Sequence, residues 1–161
     1  MSKNKDNRHI AKYISQLYRK SFIFINREVD KYDIKSGQLM FLLDLYTEDG
    51  KNQEEISARL KIDKGTTARA LKKLEEQELI TRVKDNDDKR SNIIYLTEKS
   101  KDVKDGVYNV LDEWNKKISE NLTYEEQETL RNLLEKVCKN INIWGGKYAK
   151  KRKYIREWAY R

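Results

Sequence analysis

The chain has 161 residues, enough to bury a real core as one domain or one domain with appended helices, and its 35 basic against 27 acidic side chains leave a net charge of +8 that suggests an anionic partner. No run approaches the roughly 18 apolar residues of a membrane span, and the polar N-terminus does not read as a signal peptide, so a cytoplasmic location is expected. One cysteine, Cys138, excludes an intrachain disulfide, and the absence of proline means that nothing forces breaks in long helical patterns.

The charge is unevenly spread. Residues 1–30 hold 7 basic and 3 acidic side chains, 31–100 hold 14 and 14, 101–146 hold 7 and 9, and 147–161 hold 7 and 1. The excess sits at the two ends, so the overall charge says nothing about the neutral middle.

In chain order, residues 8–30 place Ile10, Tyr13, Ile14, Leu17, Phe24, Ile25 and Val29 at helical spacing, and a helix over 36–46 closes near Gly50. Asn52 with Glu55 forms a capping box for a short third helix, whose Ile56 and Leu60 share its buried side. Lys61 and Ile62 lead out of it. Asp63 then caps a helix over 64–77 in which Thr67, Ala70, Leu71 and Leu74 form the buried face.

Rotating by about 180° at about 100° per residue puts Arg69 at the middle of the opposite face, flanked by Gly65, Thr66, Lys72 and Lys73, with Lys64 at the helix start. Arg can donate two hydrogen bonds to guanine O6 and N7, while Lys and Thr reach phosphates or base edges. Gly65 lets a backbone come close, and a helix N-terminus favours phosphate. A solvated helix face carries the same residue types, so this stripe gains its weight only from the hairpin C-terminal to it. Glu75, Glu76 and Glu78 cluster at the far end of the helix, which would point the basic end toward DNA.

After Leu79 the period changes from 3.6 to 2, and residues 80–84 and 92–96 read as two strands joined by the polar turn 85–91. From 97 to about 120, Val103, Val107, Val110, Trp114 and Ile118 recur at helical spacing. After Thr123, which with Glu126 forms another capping box, Leu130, Leu134, Val137, Ile141, Trp144 and Tyr148 keep alternating steps of four and three. Such a seam packs inside one subunit or against a second copy. Gly145 and Gly146 argue for a break, followed by a basic terminal helix that touches phosphate or is simply solvated.

Two short capped helices followed by a charged hairpin form a winged helix-turn-helix, and in these elements the sequence resembles the MarR (multiple antibiotic resistance regulator) family of transcription factors. The wing carries the most specific match: Asp88-Lys89-Arg90, then Ser91-Asn92-Ile93-Ile94-Tyr95-Leu96-Thr97-Glu98-Lys99, fits the family's D-x-R, apolar strand and L-T-x-K pattern. The helix ending in Leu74-Glu75-Glu76-Gln77-Glu78-Leu79-Ile80 is similar to the family's L-E-x-x-G-L-I, with Glu78 where glycine is usual. Ser100 stands where the family often has glycine. Leu122-Thr123-Tyr124-Glu125-Glu126 looks like its L-T-x-x-E motif. The resemblance covers roughly residues 8–146.

It implies a mainly α fold with a small β-hairpin wing, in one domain over 1–161: a DNA-binding lobe at 36–97, and a helical dimerisation region at 8–30 and 98–161. The implied function is a homodimeric regulator of transcription, by family habit a repressor, bound to double-stranded DNA. In it Arg90 enters the minor groove, Asp88 holds the wing by pairing with a neighbouring basic group, and Lys89 lies beside them. An inserted Arg suits the concentrated negative potential of a narrow minor groove. A surface ion pair in a hairpin is the plainer reading of Asp88 and Arg90.

The resemblance also implies a small aromatic effector that changes the spacing of the two recognition helices. Arg19 and Lys20, with Tyr32 or Tyr46, could hold an anionic aromatic, although ordinary packing and solvation account for them as well. Cys138 reads as a small packed hydrophobe rather than a redox trigger, and His9 as an ordinary residue. No metal-ligand cluster, glycine-rich phosphate loop or nucleophile set is present in the sequence, so no cofactor and no enzymatic activity are expected. The alternative from another class is a helical interaction dimer or antirepressor whose winged fold binds protein, which the neutral winged region and the acidic balance over 75–88 keep open.

Overall fold

In a computed structural model, which describes residues 9–86 and 91–140, the chain runs through α1 (Ile10–Val29), a 3-10 turn (Asp30–Tyr32), α2 (Ser36–Thr47), β1 (Lys51–Asn52), α3 (Gln53–Leu60), α4 (Lys64–Glu76), β2 (Ile80–Lys84), β3 (Asn92–Leu96), α5 (Glu98–Asp102), α6 (Lys104–Ser119) and α7 (Tyr124–Asn140). This is a mainly helical protein with a small antiparallel sheet.

The core forms around α2, which is apolar nearly all round, as a helix covered by neighbours must be. Leu39, Phe41, Leu42, Leu43, Leu45 and Tyr46 are buried there against Ile56 of α3 and Ala70, Leu71 and Leu74 of α4, with Leu79, Ile80 and Ile94 from the wing. The buried polar Gln38 is satisfied locally, since its Oε1 accepts the Lys35 backbone N–H at 2.8 Å. Both helix starts expected from the sequence are present: Asn52 accepts from the Glu55 N–H while Glu55 reaches back to the Asn52 N–H, and Asp63 accepts from the Thr66 N–H. The four residues expected on the inner face of α4 are the four that are buried.

Helix ends are closed without glycine. Asp33, Lys61 and Glu78 all have φ near +58°, each with the next residue's N–H bonded back to a carbonyl five positions earlier. At the end of α4, Leu79 N–H reaches the Leu74 carbonyl and Glu78 N–H the Glu75 carbonyl, the paired bonds of a Schellman motif, with both leucines buried beneath. Glu78 therefore adopts the left-handed turn for which the resembled family uses glycine.

Two elements differ from the expectation. The sheet has a third strand, β1, in the order β1-β3-β2, with Lys51 opposite Ile94 and Ile80 opposite Leu96. Two residues are too short to show a period of 2. The helix expected over 97–120 is broken at Val103. There the buried Tyr46 hydroxyl donates to the Ser100 carbonyl at 2.6 Å, the acceptor that the Lys104 N–H would use in an unbroken helix. That partner lies 54 residues away in sequence, out of reach of any periodicity.

α6 packs along α1, where Phe24 and Trp114 lie 5.3 Å apart. The N-terminal half of α1 and all of α7 bury no residue: Ile10, Tyr13, Ile14, Leu17, Tyr18, Phe22 and Ile23 of α1 and Leu130, Leu133 and Leu134 of α7 remain exposed. Cys138 is exposed on α7, contrary to the packed position expected of it, on a helix none of whose residues is buried. Residues 141–161, including Gly145, Gly146 and the basic tail, lie outside the described residues.

Candidate nucleic-acid interface

α4 presents Lys64, Gly65, Arg69, Lys72 and Lys73 on its exposed side, with Thr66 half-buried beside them. Asp63 fixes where that face begins, its carboxylate taking the Thr66 N–H at 2.8 Å and its carbonyl the Thr67 N–H at 3.0 Å. The hydrogen bond from Thr66 holds the Asp63 carboxyl below the ordinary carboxylate range. A Cβ built on Gly65 would meet only an Asp63 carboxylate oxygen, at 3.3 Å, which leaves the first turn open to a close neighbour. Arg69 donates to the Thr66 hydroxyl at 3.1 Å, so the central guanidinium is steered along the helix surface by its own neighbour.

Acidic groups bracket this face. Glu54 of α3 pairs with Lys64, and Glu76 lies 3.7 Å from Lys72. Glu75 is drawn away from it, accepting from Arg82 Nε of β2 at 2.9 Å and so locking the far end of α4 to the wing stem.

The stem is a regular ladder from Ile80–Leu96 to Lys84–Asn92, closed by Asp85 N–H on the Ser91 carbonyl at 3.2 Å. Asp88, Lys89 and Arg90 belong to the loop beyond it and lie outside the described residues. The stem is anchored at its base, where Thr97 Oγ1 donates to the Glu78 carbonyl at 2.6 Å and Lys99 Nζ to the Gln77 carbonyl at 2.7 Å. These contacts give a physical reason for the threonine and lysine of the motif at 96–99.

A second cluster positions α3, one that no sequence signal announced. Arg59 donates through Nη1 to Glu48 and through Nη2 to Asp44, both at 2.6 Å, with its side chain only 13% exposed. Burial pushes the Asp44 carboxyl up, opposed by the Arg59 guanidinium, while Lys51 holds Glu48 down. Arg59 follows Glu48 by 11 positions and Asp44 by 15, spacings set by the turn between α2 and α3 and invisible to helical periodicity.

Of the residues considered for an effector, Tyr46 has its hydroxyl engaged by Ser100 and its ring 6.0 Å from that of Tyr108. Tyr32 is pressed against Gly106, where an added Cβ would overlap its hydroxyl. Arg19 and Lys20 are exposed on α1, Arg19 beside a shallow groove with Tyr18, Phe22 and Ile23.

A helix-turn-helix of α3 and α4 with a three-stranded wing defines a winged-helix DNA-binding protein. The sequence model described as MarR family matches residues 34–91. The HTH-type transcriptional regulator BilQ of Clostridium symbiosum is 31% identical over 79% of this chain and 89% of its own. An uncharacterized HTH-type regulator of Bacillus subtilis, YybA, is 34% identical over 82% and 88%. A MarR transcriptional regulator from Methanosarcina mazei superimposes with a TM-score of 0.75 at 41% identity, over 81% of this chain and 94% of that one. The chain belongs to the MarR family and is a DNA-binding transcriptional regulator; its relatives are regulators rather than enzymes. Among the described residues no helix is long and apolar enough to cross a membrane.

Proposed function

We propose that the chain works in the cytoplasm as a homodimeric repressor. Its two α4 helices enter successive major grooves of a pseudo-palindromic duplex whose half-sites lie about 34 Å apart. Lys64, Gly65, Thr66, Arg69, Lys72 and Lys73 face the groove, and the wing brings Asp88, Lys89 and Arg90 to the adjacent minor groove. The division is the one the resemblance implies, with residues 36–97 as the DNA-binding lobe and 8–30 with 98–161 as the dimerisation region. The observation that carries this reading is the exposed side of α4, cationic along its first ten residues, with its acidic end tied back by the Glu75–Arg82 contact. A small aromatic effector would act by preferring a spacing of the α4 helices that does not fit the duplex, and could shift the equilibrium only by that preference.

Selection of a random duplex library on the purified protein tests this. A recovered pseudo-palindrome with half-sites one turn apart is the expected outcome, and against it Arg69→Ala should lose discrimination at one position by about 1–3 kcal/mol. A uniform loss across sequences makes Arg69 a phosphate contact instead. Failure to enrich any sequence moves the function to a protein partner.

A further inference from the structure

The face of α4 carries a counterion of its own. Glu54 sits in the first turn of α3 and its Oε1 lies 2.5 Å from Lys64 Nζ, across the turn of the helix-turn-helix; the two side chains are 74% and 68% exposed. Neither helix start depends on this contact, because Asn52 with Glu55 caps α3 and Asp63 caps α4. The partners are ten positions apart on different helices, so the pair is no by-product of helical spacing. Lys64 draws the Glu54 carboxyl below the ordinary carboxylate range, chiefly through the hydrogen bond. The Lys72–Glu76 pair is looser, at 3.7 Å within one helix.

A phosphate approaching the start of α4 therefore meets an ammonium already paired with a carboxylate. For Lys64 to give its charge wholly to the phosphate, the Glu54 contact must open, and the attraction lost there offsets part of the attraction gained. Salt weakens the Glu54–Lys64 pair as it weakens the phosphate contact, so that contact at Lys64 adds less to the salt dependence than an unpaired lysine would. We propose that Glu54 is a built-in competitor of DNA phosphate for Lys64, limiting the sequence-independent part of duplex affinity. The proposal rests on α4 being the DNA-facing helix.

The test is the binding of the full chain and its Glu54→Gln variant to a mixed-sequence duplex and to a duplex selected from a random library, each across about 50–200 mM salt. At the low-salt end the variant should bind the mixed duplex roughly two- to fivefold more tightly, the factor that an exposed ion pair is worth. Its slope of log affinity against log salt should steepen by at most about 0.9 for each Lys64 engaged. Adding Lys64→Gln should abolish the steepening, and Glu76→Gln should produce a smaller change. Unaltered affinity and slope, or weaker binding of both duplexes by a variant with the wild-type thermal midpoint, overturns the proposal. Arg69→Ala and Lys72→Ala run alongside separate the two claims. If neither affects the selected duplex, the placement of α4 is wrong; if they do and Glu54→Gln does not, only the competitor role is wrong.

Discussion

Asp63 shows how one side chain sets both a helix start and a pH dependence. Its carboxylate accepts the Thr66 N–H, and this bond makes the folded carboxyl more acidic than in the unfolded chain. A carboxyl lowered in the folded state contributes stability that is present above its unfolded value, near 3.9, and is lost as pH falls through the folded value. Glu54 beside Lys64 and Glu48 beside Lys51 have the same sign. Asp44, raised by burial, has the opposite one: its contribution is present below the unfolded value and lost as pH rises through the folded one. The contribution of Asp63 to the thermal midpoint should therefore fall away as pH drops below about 4. Asn caps as well as Asp but carries no charge, so Asp63→Asn should flatten that fall while leaving the neutral-pH midpoint nearly unchanged. An unaltered acid slope would remove Asp63 from the account. The cap was legible in sequence because Asp is a favoured cap residue and Asp63 stands four positions ahead of Thr67, the first residue of the buried face. The left-handed Glu78 was not legible from its own chemistry, since Glu has no preference for that conformation, and only the family's glycine at that place hinted at it.

At the level of elements, α3 is held on α2 by Arg59, whose two terminal nitrogens grip Asp44 and Glu48 in a largely covered site. Truncation to Arg59→Ala would strand Asp44, whose side chain is 9% exposed, and should cost about 3 kcal/mol in a denaturant melt. Asp44→Leu with Arg59→Met removes both charges and should recover most of that loss, because an apolar pair of similar volume avoids desolvation altogether. A double variant as unstable as Arg59→Ala would mean that Arg59 acts through packing of its stem rather than through Asp44. The elements themselves were legible where a local signal existed: the Asn52 and Asp63 caps, the 3.6-residue face of α4, the switch to period 2 at Ile80. Strand β1, the break at Val103, the Arg59 cluster and the Glu54–Lys64 pair were not. Each involves a partner 10 or more positions away, so each depends on how the turns aim the helices and not on any repeat within them.

For the molecule as a whole, the apolar surface left exposed on α1 and α7 among the described residues is the place to test the proposed dimer. α7 has 17 residues and buries none of them, and an isolated helix of that length is marginal in water. Leu130, Leu133 and Leu134 of α7 and Ile10, Ile14 and Leu17 of α1 would all face solvent in a lone subunit. Large exposed apolar patches of this kind mark interaction surfaces, and a two-fold pair covers the same patch on both copies at once. Under this reading Leu130→Glu with Leu134→Glu buries two carboxylates in each half of the interface, and light scattering should return the mass of one subunit at micromolar concentration. The α2–α4 core, which shares no residue with α7, should keep its own cooperative melt. DNA binding should fall much further than any single groove contact could account for, because one α4 helix reads one half-site and the paired recognition is lost. A variant that stays dimeric would place the subunit contact elsewhere, and a wild-type chain that is monomeric at the same concentration would remove the two-fold reading of the operator with it.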